Sequence, residues 1–460
     1  MKNIPQIITD QDRFFATGRT KNIAYRKRAL VRLRQKIKQQ QSAILEALEK
    51  DFGKPSFEGY ATEYALVIQE LDLAIKDIWK WQQSKKVPSS IFNFPSRDYE
   101  YYEPYGRTLL IAPWNYPFQL VFGPLIGAIA AGNIVVIKPS ELTPVTASLI
   151  NTIVTEVFDQ NHISVVEGDK EVAQALLKER WDYIFFTGSV KVGKIVAKAA
   201  AKHLTPLTLE LGGKSPCVVH SSAKIEQAAK RVVWGKFINA GQTCIAPDYL
   251  LVHQDVQSAF IGAMRKYIQD FYGKDPKKSP DYARIINKDN FERLQQMLDD
   301  PLIEIIVGGT TDVSNLYIAP TLVAVDSLEA RCMSEEIFGP ILPILTYNTK
   351  EDLEVIINSF EKPLSAYVFS RKRRFTTWFL RQFAFGGGVI NDTLIHFINK
   401  NLPFGGVGHS GMGNYHGKHS FRTFSHTKAI VKRATWIDIP VRYAPYANKL
   451  KWVQRFMKWF

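Results

Sequence analysis

Residues Leu207-Thr-Leu-Glu-Leu-Gly-Gly-Lys214 are the pivot of this chain. Alternating apolar positions close on an acid, Glu210, and two glycines follow, the pattern of a strand running into a turn. On the N-terminal side, short apolar runs at 108–111, 133–137, 164–166, 183–186 and 207–210 read as strands. Segments 120–131, 171–177 and 190–203 read as helices between them. Thr143-Pro144 reads as the start of another, with Thr as cap and Pro in the first turn. Strand and helix alternate, which predicts a parallel, doubly wound sheet of the dinucleotide-binding kind. After Gly212 the alternation starts afresh, with strands at 216–219, 249–253, 303–307, 341–347, 366–369 and 388–390. Helices are expected there at 225–237, 256–271, 351–359 and 374–383. The expected fold class is α/β, two doubly wound (Rossmann-like) domains hinged at 207–213.

The stretch 108–137 contains no charged residue and is long enough to span a bilayer. Pro113, Pro117, Pro124, Gly123, Gly127 and Gly132 interrupt it, so a strand, a buried helix and a second strand are the better parse. Residues 20–82 read as helices, the first carrying Arg26, Lys27, Arg28, Arg32, Arg34, Lys36 and Lys38 as a solvated basic face. Pro88, Pro95 and Pro104 break the pattern, and the polar, aromatic segment between them reads as an extended arm. At 460 residues two or three domains are expected. A 46% apolar and 22% charged composition is that of a soluble globular protein. Three cysteines without a leader-like N-terminus point to a reducing, cytoplasmic setting. The formal charge of +15 comes without a nucleic-acid recognition module, so nucleic acid is not an expected partner. An anionic surface or anionic substrate fits it better.

Downstream of the pivot lies Asn239-Ala-Gly-Gln-Thr-Cys-Ile-Ala-Pro247, a thiol in a loop of small residues. Cys244 and Glu210 together are the minimum kit for covalent acyl chemistry. They read equally as a buried structural cysteine and a surface glutamate. The glycine-dense run 402–417 lacks a strand–turn–helix context and reads as a functional loop near a site.

Six further motifs favour the first reading: Ala112-Pro-Trp-Asn-Tyr-Pro117, Lys138-Pro-Ser-Glu141, Phe186-Thr-Gly-Ser189, Glu210-Leu-Gly-Gly-Lys214, Gly241-Gln-Thr-Cys244 and Glu335-Glu-Ile-Phe-Gly-Pro340. With these in order, the chain resembles the aldehyde dehydrogenase superfamily over essentially its whole length, and within it the class 3 type. The resemblance implies NAD(P)-dependent oxidation of an aldehyde to a carboxylic acid, with no metal. Chemically, a Cys244 thiolate would attack the carbonyl, so the site is expected to stabilise that thiolate. The side-chain amide of Asn115 and the backbone N–H of Cys244 would hold the oxyanion, and Glu210 would activate water on the thioester. Gly188 and Ser189 open a helix suited to a pyrophosphate. The resemblance puts Lys138 and Glu141 at the adenosine ribose and Glu336 with Phe338 at the nicotinamide ribose. An acid near the 2′-hydroxyl predicts NAD preferred with NADP tolerated. Tyr60, Tyr116, Trp234 and Thr243 match positions lining the class 3 tunnel, which implies aromatic or medium-to-long aliphatic aldehydes.

The resemblance also implies a homodimer and sets the expected boundaries. Residues 1–82 and 104–209 would bind dinucleotide, 210–405 would be catalytic, and 83–103 with 418–436 would form an oligomerisation β-arm. The tail 437–460 sets Lys451, Arg455 and Lys458 against Leu450, Trp452, Val453, Phe456, Met457, Trp459 and Phe460. It reads as a lid, a packing helix or a peripheral membrane anchor. Two other functions compete: a coenzyme A-acylating dehydrogenase, which would not need Glu210, and a non-catalytic membrane-associated scaffold, which would not need Cys244, Glu210 and Asn115 together.

Overall fold

The computed structural model describes residues 3–458. Its first main sheet has the spatial order Gly411–Met412, Leu207–Glu210, Tyr183–Thr187, Arg107–Ile111, Ile134–Lys138, Ile163–Val165. All neighbours are parallel except the Gly411–Met412 edge, which pairs antiparallel with Leu207–Glu210 and sets Gly411 opposite Glu210. The chain winds outward from Arg107–Ile111 in one direction and returns through Tyr183–Thr187 in the other. The crevice where winding reverses lies at the carboxyl ends of these strands, the usual ligand position in such sheets.

The second sheet has the order Ile303–Val307, Thr321–Val325, Ile341–Tyr347, Tyr249–His253, Pro216–Val219, Ser365–Phe369, Gly387–Ile390. Only Ile303–Val307 runs antiparallel to its neighbour. Residues 211–215 connect the sheets. A third, antiparallel sheet joins Lys85–Val87, Ser96–Pro104 and Ser425–Arg433, so the arm segment pairs with a strand over 300 residues away.

Most expected elements fall within two residues of those observed, and the departures have physical reasons. Gln119–Ala131 is buried on every side, which is why it carries no charge. Thr143 precedes the helix Pro144–Val157, but its side chain does not cap it. Asp51 does, accepting from the backbone N–H groups of Val145 at 3.0 Å and Thr146 at 2.8 Å. A carboxylate from another helix outcompetes the local hydroxyl. Arg26 is not part of a solvated face. It is buried, donating to the Ala130 carbonyl at 2.6 Å and to Gln82 at 2.9 Å. The helix expected over 57–82 is continuous, but Tyr60–Tyr64 forms a π-turn within it. The helices Ile4–Ala16 and Lys288–Leu298 and the strand Thr321–Val325 are additions to the expected set.

Candidate active site

Cys244 lies after a strained turn. Asn239, Ala240 and Gly241 all have left-handed φ, at 53°, 51° and 74°. Non-glycine residues adopt this conformation only when their surroundings hold them in it. Here the Asn239 side chain donates to the carbonyls of Asn115 at 3.0 Å and Gln242 at 3.1 Å, while its backbone N–H donates to Glu58 at 2.9 Å. Gln242 donates to the Arg284 carbonyl and accepts from the Ile286 N–H, each at 3.0 Å. At Gly241 a Cβ would lie 2.3 Å from the Gly339 carbonyl oxygen, so only glycine allows the two loops to meet.

Two cavities meet at this thiol. One, of about 390 Å³, is walled by Leu120, Trp234, Phe271, Leu394, Phe397 and Phe404, among other mostly apolar residues. The other, a cleft of about 400 Å³, is lined by Trp114, Asn115, Gly188, Ser189, Glu336 and Phe338, among others. Cys244, Glu210, Thr187 and Leu120 line both. Glu210 is buried at the end of its strand, and neither carboxylate oxygen has a hydrogen-bond partner among the described residues. Burial alone pushes its pKa well above the usual carboxylate range.

The Cys244 thiol is pushed up rather than down. Burial is the largest cause, and the Glu336 and Glu210 carboxylates add to it. Backbone N–H groups of Cys244 and Ile245 pull the other way. The expected thiolate-stabilising environment is not seen here: two acids raise the thiol, and among the described residues no cation is a cause that lowers it. Asn115 is held with its side-chain N–H on the Gln242 carbonyl at 3.1 Å, and its own carbonyl accepts from Lys54 at 3.1 Å. Lys54 is fully buried and ion-paired with Glu63, whose second oxygen accepts the Phe118 N–H at 2.8 Å.

In the cleft, Ser189 caps Val190–Ala201 by accepting from the Val192 N–H at 3.4 Å, and Gly188 donates to the Glu210 carbonyl at 3.0 Å. The Glu336 carboxylate packs so tightly on Gly212 that a Cβ there would lie 2.1 Å from it. Burial raises the Glu336 pKa to about 8. Phe338, at φ 48°, packs edge-on against Trp114 with ring centroids 5.3 Å apart. The loop carrying both is anchored from below by a buried Lys214–Asp248 pair. Lys214 donates to the Cys332 and Glu335 carbonyls at 2.7 and 3.0 Å, and Asp248 accepts the Ile337 N–H at 3.0 Å. Arg293 adds a bond to the Ile337 carbonyl at 2.7 Å.

The structure thus gathers Cys244, Glu210, Asn115, Gly188, Ser189, Glu336 and Phe338 around one cleft. Lys138 and Glu141 pair with each other beyond a neighbouring strand end and do not line it. Tyr116, Trp234 and Thr243 line the apolar cavity, and the Tyr116 hydroxyl bonds the Thr243 hydroxyl at 2.7 Å. Tyr60 does not line it. Tyr60 is exposed and packs on Tyr64, and Glu58, Ala61 and Thr62 line the wall instead. Sequence reading passed over Lys54, Glu63, Lys214, Asp248 and Arg293. Lys214 stood inside a quoted motif, but nothing local identified its partner.

The family model described as the aldehyde dehydrogenase family matches residues 2–430. The chain belongs to the aldehyde dehydrogenase family. It is an NAD(P)-dependent oxidoreductase of the aldehyde dehydrogenase type. Among relatives, a Staphylococcus aureus 4,4'-diaponeurosporen-aldehyde dehydrogenase is 48% identical over 100% of both chains. A Rattus norvegicus aldehyde dehydrogenase named as dimeric and NADP-preferring is 42% identical, covering 98% of this chain and 99% of its own. A substrate-bound structure of Staphylococcus aureus AldH superposes with a TM-score of 0.97 at 47% identity, covering 99% of this chain and 100% of its own. Among the described residues no helix of this aldehyde dehydrogenase is long and apolar enough to cross a membrane.

Proposed function

We propose that Cys244 is the nucleophile, Glu210 the general base and Asn115 the oxyanion donor of this dehydrogenase. The observation that carries the assignment is that Cys244 and Glu210 belong to both cavities, one apolar and one suited to a dinucleotide. The resting thiol is protonated, and the unpartnered Glu210 carboxylate is the acceptor for its proton. Sulfur then attacks the aldehyde carbon. The Asn115 amide has two N–H groups; Gln242 engages one, leaving the other for the oxyanion beside the Cys244 N–H. A nicotinamide held in the cleft beside Glu336 and Phe338 would supply the hydride acceptor that takes the adduct on Cys244 to the thioester level. Glu210, once it has passed the first proton to solvent, takes a proton from water as the oxygen adds to the thioester carbon; the C–S bond breaks to release the acid, and Glu210 returns that proton to the leaving sulfur.

The cleft fits a dinucleotide on its own geometry: the capped N-terminus of Val190–Ala201 lines it for the pyrophosphate, and Glu336 and Phe338 line its other side. Lys138 and Glu141 at the next strand end would hold the adenosine ribose. An acid there favours NAD over NADP, with NADP tolerated, whereas the name of the rat relative points to NADP. Initial rates with each cofactor decide the order, and a higher kcat/KM with NADP overturns it. The apolar cavity suits aromatic or medium-to-long aliphatic aldehydes.

For assembly and location, we propose a homodimer formed through the arm sheet, in the cytoplasm, with the C-terminal segment touching a membrane surface. The lid and packing readings lose support within one chain. None of residues 437–458 lines the apolar cavity, and the helix Lys449–Met457 buries no residue. Trp459 and Phe460 lie outside the described residues. The decisive test of the chemistry is Cys244→Ala, which should abolish aldehyde oxidation while leaving NAD binding; survival of full turnover overturns the mechanism.

A further inference from the structure

The exposed helix Lys449–Met457 does not stand alone. Phe456 meets Phe92 of the arm with ring centroids 6.2 Å apart, edge to face. Ile91, Phe92 and Phe94 form a second apolar projection, each about half exposed. On the helix, Leu450, Trp452 and Met457 are 66%, 73% and 52% exposed. Two segments far apart in sequence therefore present one continuous apolar surface. Residues 433–458 carry six Lys and Arg against one Asp. Lys451, Arg455 and Lys458 share one side of the helix, Leu450, Val453, Phe456 and Met457 the other, with Trp452 at the boundary. No acidic side chain pairs with these three among the described residues.

We infer that this composite face, tail helix and arm loop together, docks on anionic phospholipid, which rests on the membrane contact proposed above. The argument is charge complementarity joined to amphipathicity. A helix lying in the headgroup plane puts Trp and Phe into the acyl boundary and its cations against lipid phosphates. An exposed surface with this many large apolar side chains is costly in water and rarely free of function. The arm loop is the new element. It widens a nine-residue helix, too short to bind strongly alone, into a two-point contact. An apolar aldehyde partitions into such a bilayer, which places the enzyme beside its substrate.

The test uses the full chain with vesicles of phosphatidylcholine alone or mixed with phosphatidylglycerol, read by co-sedimentation. Mass by light scattering and oxidation of a short soluble aldehyde are measured alongside. Binding to the mixed vesicles, weakening with salt, is expected. Lys451→Glu/Arg455→Glu should weaken it by roughly tenfold or more, since each charge near such a surface counts for about 1 kcal/mol. Trp452→Glu/Phe456→Glu and Phe92→Glu should each weaken it as well, with activity and mass unchanged. Failure to bind either vesicle overturns the membrane reading itself. Equal binding to both vesicles, or parental binding by Phe92→Glu, overturns the composite anionic-lipid face alone. A fall in mass in the apolar variants shows that a second copy covers the surface and overturns it too.

Discussion

Two regions of this molecule bury carboxylates within reach of the same thiol loop and treat them in opposite ways. Beneath the site, Glu63 and Asp248 each pair with a buried lysine and accept backbone N–H groups. At the floor where the cavities meet, Glu210 is equally buried and has no partner among the described residues. A paired, hydrogen-bonded acid fixes the loops around it. An unpaired one is held at a raised pKa and can take and give a proton. Satisfaction, rather than burial, separates scaffold from chemistry here.

The largest expected effect strikes the scaffold. Lys54→Met leaves Glu63 buried without its cation, which costs about 3–5 kcal/mol of stability. Denaturant unfolding should show the loss, and Lys54→Met/Glu63→Leu should recover much of it. If the single variant unfolds at the parental midpoint, the contrast between the two regions collapses. Glu210→Gln is the converse. It should leave the unfolding midpoint at or above that of the parent, because an unpartnered carboxyl contributes nothing to hold. Turnover should fall by roughly 10²–10⁴, the usual span for a general base. The steady-state rate of the parent should rise with pH as Glu210 loses its proton, and that rise should vanish in the variant.

The difference between the regions also explains what could be read from the sequence. Glu210, Cys244 and Ser189 each stand at a strand end or a glycine-marked turn, so local pattern marks them as candidates, whereas Asn115 enters only with its motif. The alternation of strand and helix was equally local, and the sheets follow it. Lys54 and Glu63 are nine residues apart with nothing to mark them, and their common target, the loop at Asn115, lies 50 residues on. Pairings of that kind are made by tertiary structure alone. The same holds for Arg26, whose basic neighbours suggested a solvated face while its own carbonyl partner sits over 100 residues away. Tyr60 enters by resemblance alone, and Glu58, Ala61 and Thr62 beside it are the residues that line the apolar cavity.

Glu336 lies between the two classes, since it is half-buried and its pKa is raised to about 8 although the Gly213 N–H bonds it. Its folded pKa exceeds the unfolded value of 4.5, so the folded state binds the extra proton in between. The stability that this proton confers is complete below about pH 4.5 and is lost as pH rises to about 8. Glu336→Gln should therefore gain on the parent in melting temperature from pH 5 to pH 8. A gain independent of pH would class Glu336 with the scaffold acids.

The smallest expected effect asks whether scaffold and cavity communicate. The Lys54 ammonium sits 4.1 Å from the centroid of the Tyr116 ring, and Tyr116 in turn lines the apolar cavity through its bond to Thr243. A desolvated cation over an aromatic face is worth about 0.5–2 kcal/mol. Tyr116→Leu should lower stability by a cavity and contact cost that Lys54→Met partly shares, so the two losses should not add. A double-mutant cycle built with Lys54→Met/Tyr116→Leu should return a coupling of about 1 kcal/mol in unfolding. The same cycle in kcat/KM for a medium-chain aldehyde should show coupling only if the buried pair holds the cavity wall. Coupling in stability without coupling in catalysis would confine Lys54 to the fold, while coupling in both would make the buried pair a positioning element for the substrate.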